Sequence, residues 1–240
     1  MIMENMTTDE VQQHLQKCRS VIIPYGVMEA HGPHMPLSTD TIQAVDAAVG
    51  ASEIHPVFVA ASVNYGMCRS ASGHAGTIGI SGSTLRALTY DIIHSLYKSG
   101  IRNFILFSGH ASGKQLASME EASEKFIDAF DDANIAVVCD YDITKKADFI
   151  ETPGDIHAGE IETSRIMAIE PSLVKVDKFP PAETRQFPKP ILVRDQKRYW
   201  PGTVEGDPAT STAEKGEKLR QMVAQYLADL VVKMESFEPH

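Results

Sequence analysis

The sequence predicts an α/β fold with a largely parallel central sheet, and three observations carry that expectation. Unbroken apolar runs recur at Val21–Pro24, Asn103–Phe107 and Ile135–Cys139. Such runs lack the alternation of a half-exposed strand and suit strands covered on both faces. Between them lie stretches of helical spacing, so strand and helix alternate along the chain. No repeat, low-complexity tract or long linker divides the 240 residues, which predicts one domain over 1–240.

The elements follow in order. Thr7-Thr8-Asp9-Glu10 reads as a capping box opening a helix to about Lys17. Val21-Ile22-Ile23-Pro24 is a buried strand broken by Tyr25-Gly26. From Asp40 the spacing of Ile42, Val45, Ala48 and Val49 is helical, and Val57 to Val63 reads as a second strand. Ser83 is the expected cap of a helix carrying Leu85, Leu88, Ile92, Ile93 and Leu96. After the strand Asn103–Phe107 comes a helix over Gly113 to Phe130, then the strand ending at Cys139. Residues 171 to 210 hold seven of the thirteen prolines and are expected to be irregular and to wrap the surface. Thr212 to about Met234 closes the chain as an amphipathic helix.

Charge narrows the partners. The chain carries 22 Lys and Arg against 32 Asp and Glu, a formal −10 with histidine neutral. That excess argues against nucleic acid and against an anionic membrane surface, because both need clustered cations. It does not argue against metal cations. No apolar run is long enough to span a bilayer, and Met1 to Glu10 lacks the features of a signal peptide. Cys18, Cys68 and Cys139 are odd in number and widely spaced, which fits buried thiols in a reducing cytoplasm.

Three polar clusters stand at inferred strand-to-helix transitions, where open parallel sheets form their sites. The first is Glu29-Ala30-His31-Gly32-Pro33-His34 with Asp40. In an extended segment Glu29 and His31 leave on one side. Carboxylate, imidazole and carboxylate are a ligand set for a divalent metal, and a shared carboxylate could bridge two ions. A turn histidine is the plainer reading of His34. The second cluster is Ser108-Gly109-His110-Ala111-Ser112-Gly113-Lys114. It fails as a phosphate-binding loop: three residues, not four, separate Gly109 from Gly113, and Gln115 follows the lysine. His110 reads as a ligand or base, or as a capping histidine. The third runs from Asp155 to Ser164 with His157, Glu160 and Glu162. Glu160 and Glu162 point to different sides, so at most one reaches a metal; acids at a solvated helix start are the alternative. Mixed histidine and carboxylate ligation suits zinc, manganese or iron(II).

These motifs resemble the creatininase (creatinine amidohydrolase) family. Its pattern E-x-H-G-x-H-x-P-x-x-x-D is matched from Glu29 to Asp40. Its N-G-H-x-x-N is matched in part by Ser108-Gly109-His110, and its H-A-G-x-x-E-T-S by His157 to Ser164. Gly76-Thr77 and Gly206-Asp207-Pro208 also agree, so the likeness runs in order from residue 21 to about 220. The resemblance implies a three-layer α/β fold, two divalent metal ions and hydrolysis of carbon–nitrogen bonds in amides, cyclic amides or formamides. It implies that Glu29, Asp40 and His110 hold one ion and that His31 and Asp40 hold the other, with Asp40 bridging. Glu162 is the candidate for completing the second ion, and His157 for proton donor. It also implies a small-molecule amide substrate and a homo-oligomer, a hexamer in creatininase. Ser112 departs from the pattern, standing where creatininase has a metal-centre glutamate. The alternative from another class is a non-catalytic small-molecule or metal-binding member of the fold.

Overall fold

The computed structural model describes residues 1–237. The apolar runs pair as four parallel strands: β1 (Ser20–Tyr25), β2 (Phe58–Val59), β3 (Asn103–Ser108) and β4 (Asn134–Cys139). Their order is β2-β1-β3-β4, with Val21 opposite both Phe58 and Phe104, and Phe104 opposite Ile135. Both central strands, β1 and β3, are buried along their whole length. That burial explains their unbroken apolar sequence: each face must meet a helix layer.

The alternation of strand side chains divides the core in two. Ile22, Ile105 and Phe107 face one layer, built from α2 (Thr39–Ile54) and α7 (Ala213–Glu235). The alanines of α2 (Ala44, Ala47, Ala48 and Ala51) let it approach the sheet closely beneath Val223, Leu227 and Val231 of α7. Val21, Ile23, Phe104 and Leu106 face the other layer, where α3 (Gly82–Lys98) and α4 (Gly113–Ile127) contribute Leu85, Ile93, Met119 and Phe126. The amino-terminal helix α1 (Thr8–Leu15) lays Val11 and Leu15 on that layer. Two shorter helices follow β4: α5 (Asp140–Thr144) and α6 (Glu160–Ile169), the latter packed on α7 and α2. The result is the three-layer α/β fold expected. No helix among the described residues is long and apolar enough to cross a membrane.

Three expectations need correction. The strand expected over Val57 to Val63 is regular only at Phe58–Val59. Beyond it the chain keeps beside β1 through Ala60 N–H to Ile22 O at 3.0 Å and Val63 N–H to Pro24 O at 2.9 Å. Ala61 and Ser62 turn outward and leave the ladder incomplete. The cap of α3 is Ser81, whose Oγ accepts from Thr84 N–H at 3.2 Å; Ser83 lies within the first turn. The proline-rich stretch is irregular, with three short 3₁₀ turns at Pro171–Leu173, Val176–Lys178 and Pro208–Thr210. It does not merely wrap the surface, because Trp200 and Val204 within it are wholly buried. The capping box of α1 is present as expected, with Thr7 and Glu10 satisfying each other's backbone N–H.

One contact ties the carboxyl end of the sheet together. Gly109, directly after β3, approaches α2 so closely that an added Cβ would lie 2.1 Å from the Asp40 carbonyl oxygen. Only glycine fits there. Gly109→Ala should therefore cost about 1–3 kcal/mol in urea denaturation, by overpacking that forces β3 and α2 apart.

Candidate metal centre

Six side chains meet beyond the carboxyl ends of the strands. Glu29 and His31 lie in the loop after β1, Asp40 opens α2, and His110 follows β3. His157 comes from the segment leading into α6, and Glu162 from the first turn of that helix. Glu29, His31 and Asp40 are wholly buried.

Asp40 divides its two oxygens between two groups. Its Oδ1 lies 3.1 Å from His31 Nε2, which is itself 3.6 Å from Glu162 Oε2. Its Oδ2 lies 3.2 Å from His110 Nδ1, which is 2.9 Å from Glu29 Oε2. Ligand atoms of Glu29, Asp40 and His110 thus converge within 4.8 Å of one another, as do those of His31, Asp40 and Glu162. On the other side of Glu29, its Oε1 lies 3.6 Å from His157 Nε2.

The three imidazoles are aimed by backbone carbonyls. His31 Nδ1 is 3.0 Å from Glu29 O, His110 Nε2 is 3.3 Å from Met67 O, and His157 Nδ1 is 3.0 Å from Thr203 O. A carbonyl only accepts, so in each neutral ring the facing nitrogen carries the proton. The other nitrogen then turns a lone pair toward the carboxylates, as in metal-binding histidines. Lone pairs facing carboxylate oxygens need a cation between them. The orphaned atoms agree: Glu29 Oε1 and Oε2, Asp40 Oδ2 and His157 Nε2 are buried without a hydrogen-bond partner among the described residues. Leaving such groups unpaired is costly, and a divalent ion at each convergence would satisfy them. The donor set fits metal.

Without an ion, protons take that place. Burial works against a charged His31, but Asp40 and Glu162 outweigh it and hold the imidazole well above its usual range. Burial likewise opposes charge on His110, and Glu29 and Asp40 overcome it. Burial raises Glu29, yet His110 and His157 bring it well below the ordinary carboxylate range. Glu162 falls to about 2, burial being outweighed chiefly by His31.

A family model, creatininase (creatinine amidohydrolase), matches residues 4–231. The chain belongs to the creatininase family. It is 28% identical over 243 residues to a creatinine amidohydrolase of Pseudomonas putida, covering 91% of this chain and 90% of that protein. It is 29% identical over 234 residues to a mycofactocin precursor peptide peptidase of Mycobacterium ulcerans, covering 92% and 86%. Among solved structures, creatinine amidohydrolase superposes with a TM-score of 0.85 at 22% identity over 97% of this chain and 96% of that one. A manganese form of creatininase also gives 0.85, at 23% identity over 97% of each chain. The chain is thus a hydrolase of the amidohydrolase type.

Two residues of the family motifs stand aside from the cluster. Glu160 accepts from the backbone N–H of Thr152 at 2.7 Å and pairs with Lys215 at 2.6 Å, which stabilises the start of α6. His34 turns Nε2 to Thr163 Oγ1 at 3.1 Å and meets Phe179 edge-on, and burial above all lowers its pKa to about 4. Ser112 is the N-cap position of α4 and lines the cleft.

The supporting residues were not evident in the sequence. Gln43, one turn after Asp40 on α2, donates from Nε2 to Glu162 Oε1 at 3.2 Å. Its own carbonyl accepts from the buried Arg165 at 3.0 Å, and Arg165 is paired with buried Asp140. Ala158 N–H donates to Glu162 Oε2 at 2.6 Å from a backbone with φ of 51°. Thr203, whose carbonyl aims His157, has φ of 50°; these are the two non-glycine residues with positive φ among the described residues. Strain of this kind persists where surrounding contacts hold it, and both instances hold this site. Trp200 backs His157 edge-on at 4.9 Å and donates from Nε1 to Val204 O at 3.1 Å. A helical Gln at i+3 from a ligand was the one signal available.

Two outcomes follow from this geometry. Because His31 and His110 hold protons above the usual histidine range, an ion must displace them at neutral pH. Metal loading should release protons, and affinity should rise with pH until both imidazoles are neutral; calorimetry in buffers of different ionisation enthalpy reads this directly. If His31, Asp40 and Glu162 hold an ion, Gln43→Leu should loosen Glu162 and weaken that ion by about 10–100-fold, while a metal held by Glu29 and His110 would stay in place. Metal titration that resolves the two affinities checks it.

Proposed function

We propose that this chain is a two-metal amidohydrolase in which one domain, residues 1–240, carries the whole site. The observation that carries the reading is the division of Asp40, with one oxygen toward His31 and the other toward His110. Glu29, Asp40 and His110 would hold one ion; His31, Asp40 and Glu162 would hold the other. Zinc, manganese and iron(II) all suit this histidine and carboxylate set. When bound, two such ions supply a water activated at neutral pH and an electrophile for the amide carbonyl.

The protein's own groups do the rest. Asp40 fixes the separation of the two ion positions, and Gln43 and Ala158 hold Glu162 in register with it. His157 stands at the cleft side of Glu29 with Nε2 unpartnered and buried. The Thr203 carbonyl keeps its Nδ1 proton, so a second proton on Nε2 can pass to the departing nitrogen. The edge of Trp200 keeps the ring from turning. Water adds across the C–N bond, giving a carboxylic acid and an amine. The substrate is a small amide, cyclic amide or formamide that enters a cleft of about 530 Å³ lined by these residues. The three cysteines are buried and unpaired, in keeping with the cytoplasm, and a homo-oligomer is the assembly we infer from the resemblance.

Asp40→Ala should lose both ions by elemental mass spectrometry and several orders of magnitude in rate. His157→Gln should keep both ions and lose about 10²–10⁴-fold in kcat. Near-zero metal after purification without chelator, no effect of added metal on Tm, and no turnover of formamides or lactams would together overturn the reading.

A further inference from the structure

The cleft above the metal centre changes sign from floor to mouth. Glu29, Asp40 and Glu162 are the three carboxylates of its lining, and all lie on the floor. The wall and mouth carry Arg69, Lys114, Arg185 and Lys189. In a chain with ten more acids than bases, this concentration is against the composition. Arg185 is answered by Glu205 and lies 5.0 Å over Trp200. The other three have no carboxylate partner among the described residues. Arg69, exposed in the lining of the cleft, donates Nη2 to Val193 O at 2.8 Å, which steadies its side chain there.

The three cations come from three segments. Arg69 lies in the loop before α3, Lys114 in the first turn of α4, and Lys189 in the proline-rich stretch. Ser112 and Gly113, at the amino end of α4, line the same opening. The amino end of that helix adds partial positive charge beside Lys114. Uncompensated charges of one sign around a single concave opening focus field on what enters it.

We propose that the cleft takes an amide whose far end is an anion, a carboxylate or a phosphate, held by Arg69, Lys114 and Lys189. Only the placement of the amide end rests on the two-metal amidohydrolase reading. The polarity orients the substrate: the amide lies over the floor, and the anion stays at the mouth. The anion takes no part in the reaction, in which water adds across the C–N bond to give a carboxylic acid and an amine.

The test uses the manganese-loaded full chain and two matched pairs of formamides. N-formyl-4-aminobutyrate is compared with N-formylbutylamine, and N-formylethanolamine phosphate with N-formylethanolamine. Calorimetry should show the anionic member of at least one pair binding about tenfold tighter or more, and the pair with the larger ratio tells carboxylate from phosphate. The ratio should shrink in about 0.5 M salt, because the three cations are exposed. It should fall below about threefold in the Arg69→Gln/Lys114→Gln double variant. Lys114→Gln alone, at an exposed position, should give part of that loss and serves if the double variant does not fold. Equal binding, or no binding, of both members of both pairs overturns the proposal. So does a preference that survives the double variant, since the anion would then be sitting on the metal ions. Retained preference without turnover removes the amidohydrolase reading and leaves this one standing.

Discussion

The constraint on which this structure turns is the burial of three carboxylates and three imidazoles at one point. Glu29 and Asp40 have no exposed surface, and Glu162 is almost covered. Taking one such ion out of water costs several kcal/mol after relaxation. Their mutual arrangement makes matters worse, because ring lone pairs are turned toward carboxylate oxygens by carbonyls on the far side of each ring. A protein arranged for internal ion pairing would present N–H to carboxylate. This one, with its rings neutral, presents acceptor to acceptor, with Asp40 common to both groups. Protons on His31 and His110 relieve the conflict at one level, and two dications would relieve it fully.

The sheet makes that convergence affordable. Parallel strands end on the same side, so the loops after β1 and β3 and the segment beyond β4 arrive together without any long excursion. Strand β1 is central and leads into Glu29 and His31. Strand β3 lies beside it and leads into His110. Helix α2 then begins with Asp40 between them, and the close approach of Gly109 to the Asp40 carbonyl fixes how far apart they stand. Behind the ligands, Arg165 paired with Asp140 anchors Gln43, and Gln43 anchors Glu162. An error in strand register would move the carboxylates relative to one another by a residue spacing, which no ion could bridge.

Much of this was legible in the sequence, for a physical reason. Strands buried on both faces leave unbroken apolar runs, and β1, β3 and β4 were found at their true places. Ligand motifs following such runs announce themselves because the topology puts them together. What was hidden depends on three-dimensional neighbours. Phe58–Val59 is an edge strand, and its apolar continuation to Val63 keeps only scattered hydrogen bonds, which periodicity does not register. Ser83 has the residue type of a cap, but the Oγ that meets Thr84 N–H is that of Ser81, which only the path of the chain decides. Arg165 reads as a solvated helix charge until Asp140 is seen beside it, because burial of a paired charge leaves no trace in local pattern. Trp200 and Thr203 sit among prolines, where an irregular path gives no period to read. The positive φ at Ala158 and Thr203 has no glycine to signal it.

The departure at Ser112 connects the two ends of the cleft. The family resemblance places a metal-centre glutamate two residues after the histidine of the second motif. Here that position is a serine at the N-cap of α4, and the carboxylate beside His31 is Glu162 of α6. An acid at 112 would stand at the N-cap of α4, two residues before Lys114, and oppose the positive field there. Glu162 keeps its own place in the third family motif, and a serine at 112 leaves three acids on the floor and the amino end of α4 clear of negative charge. Lys114 is then free to act with Arg69 across the opening. The serine at 112 thus leaves a mouth whose charge opposes that of the rest of the chain.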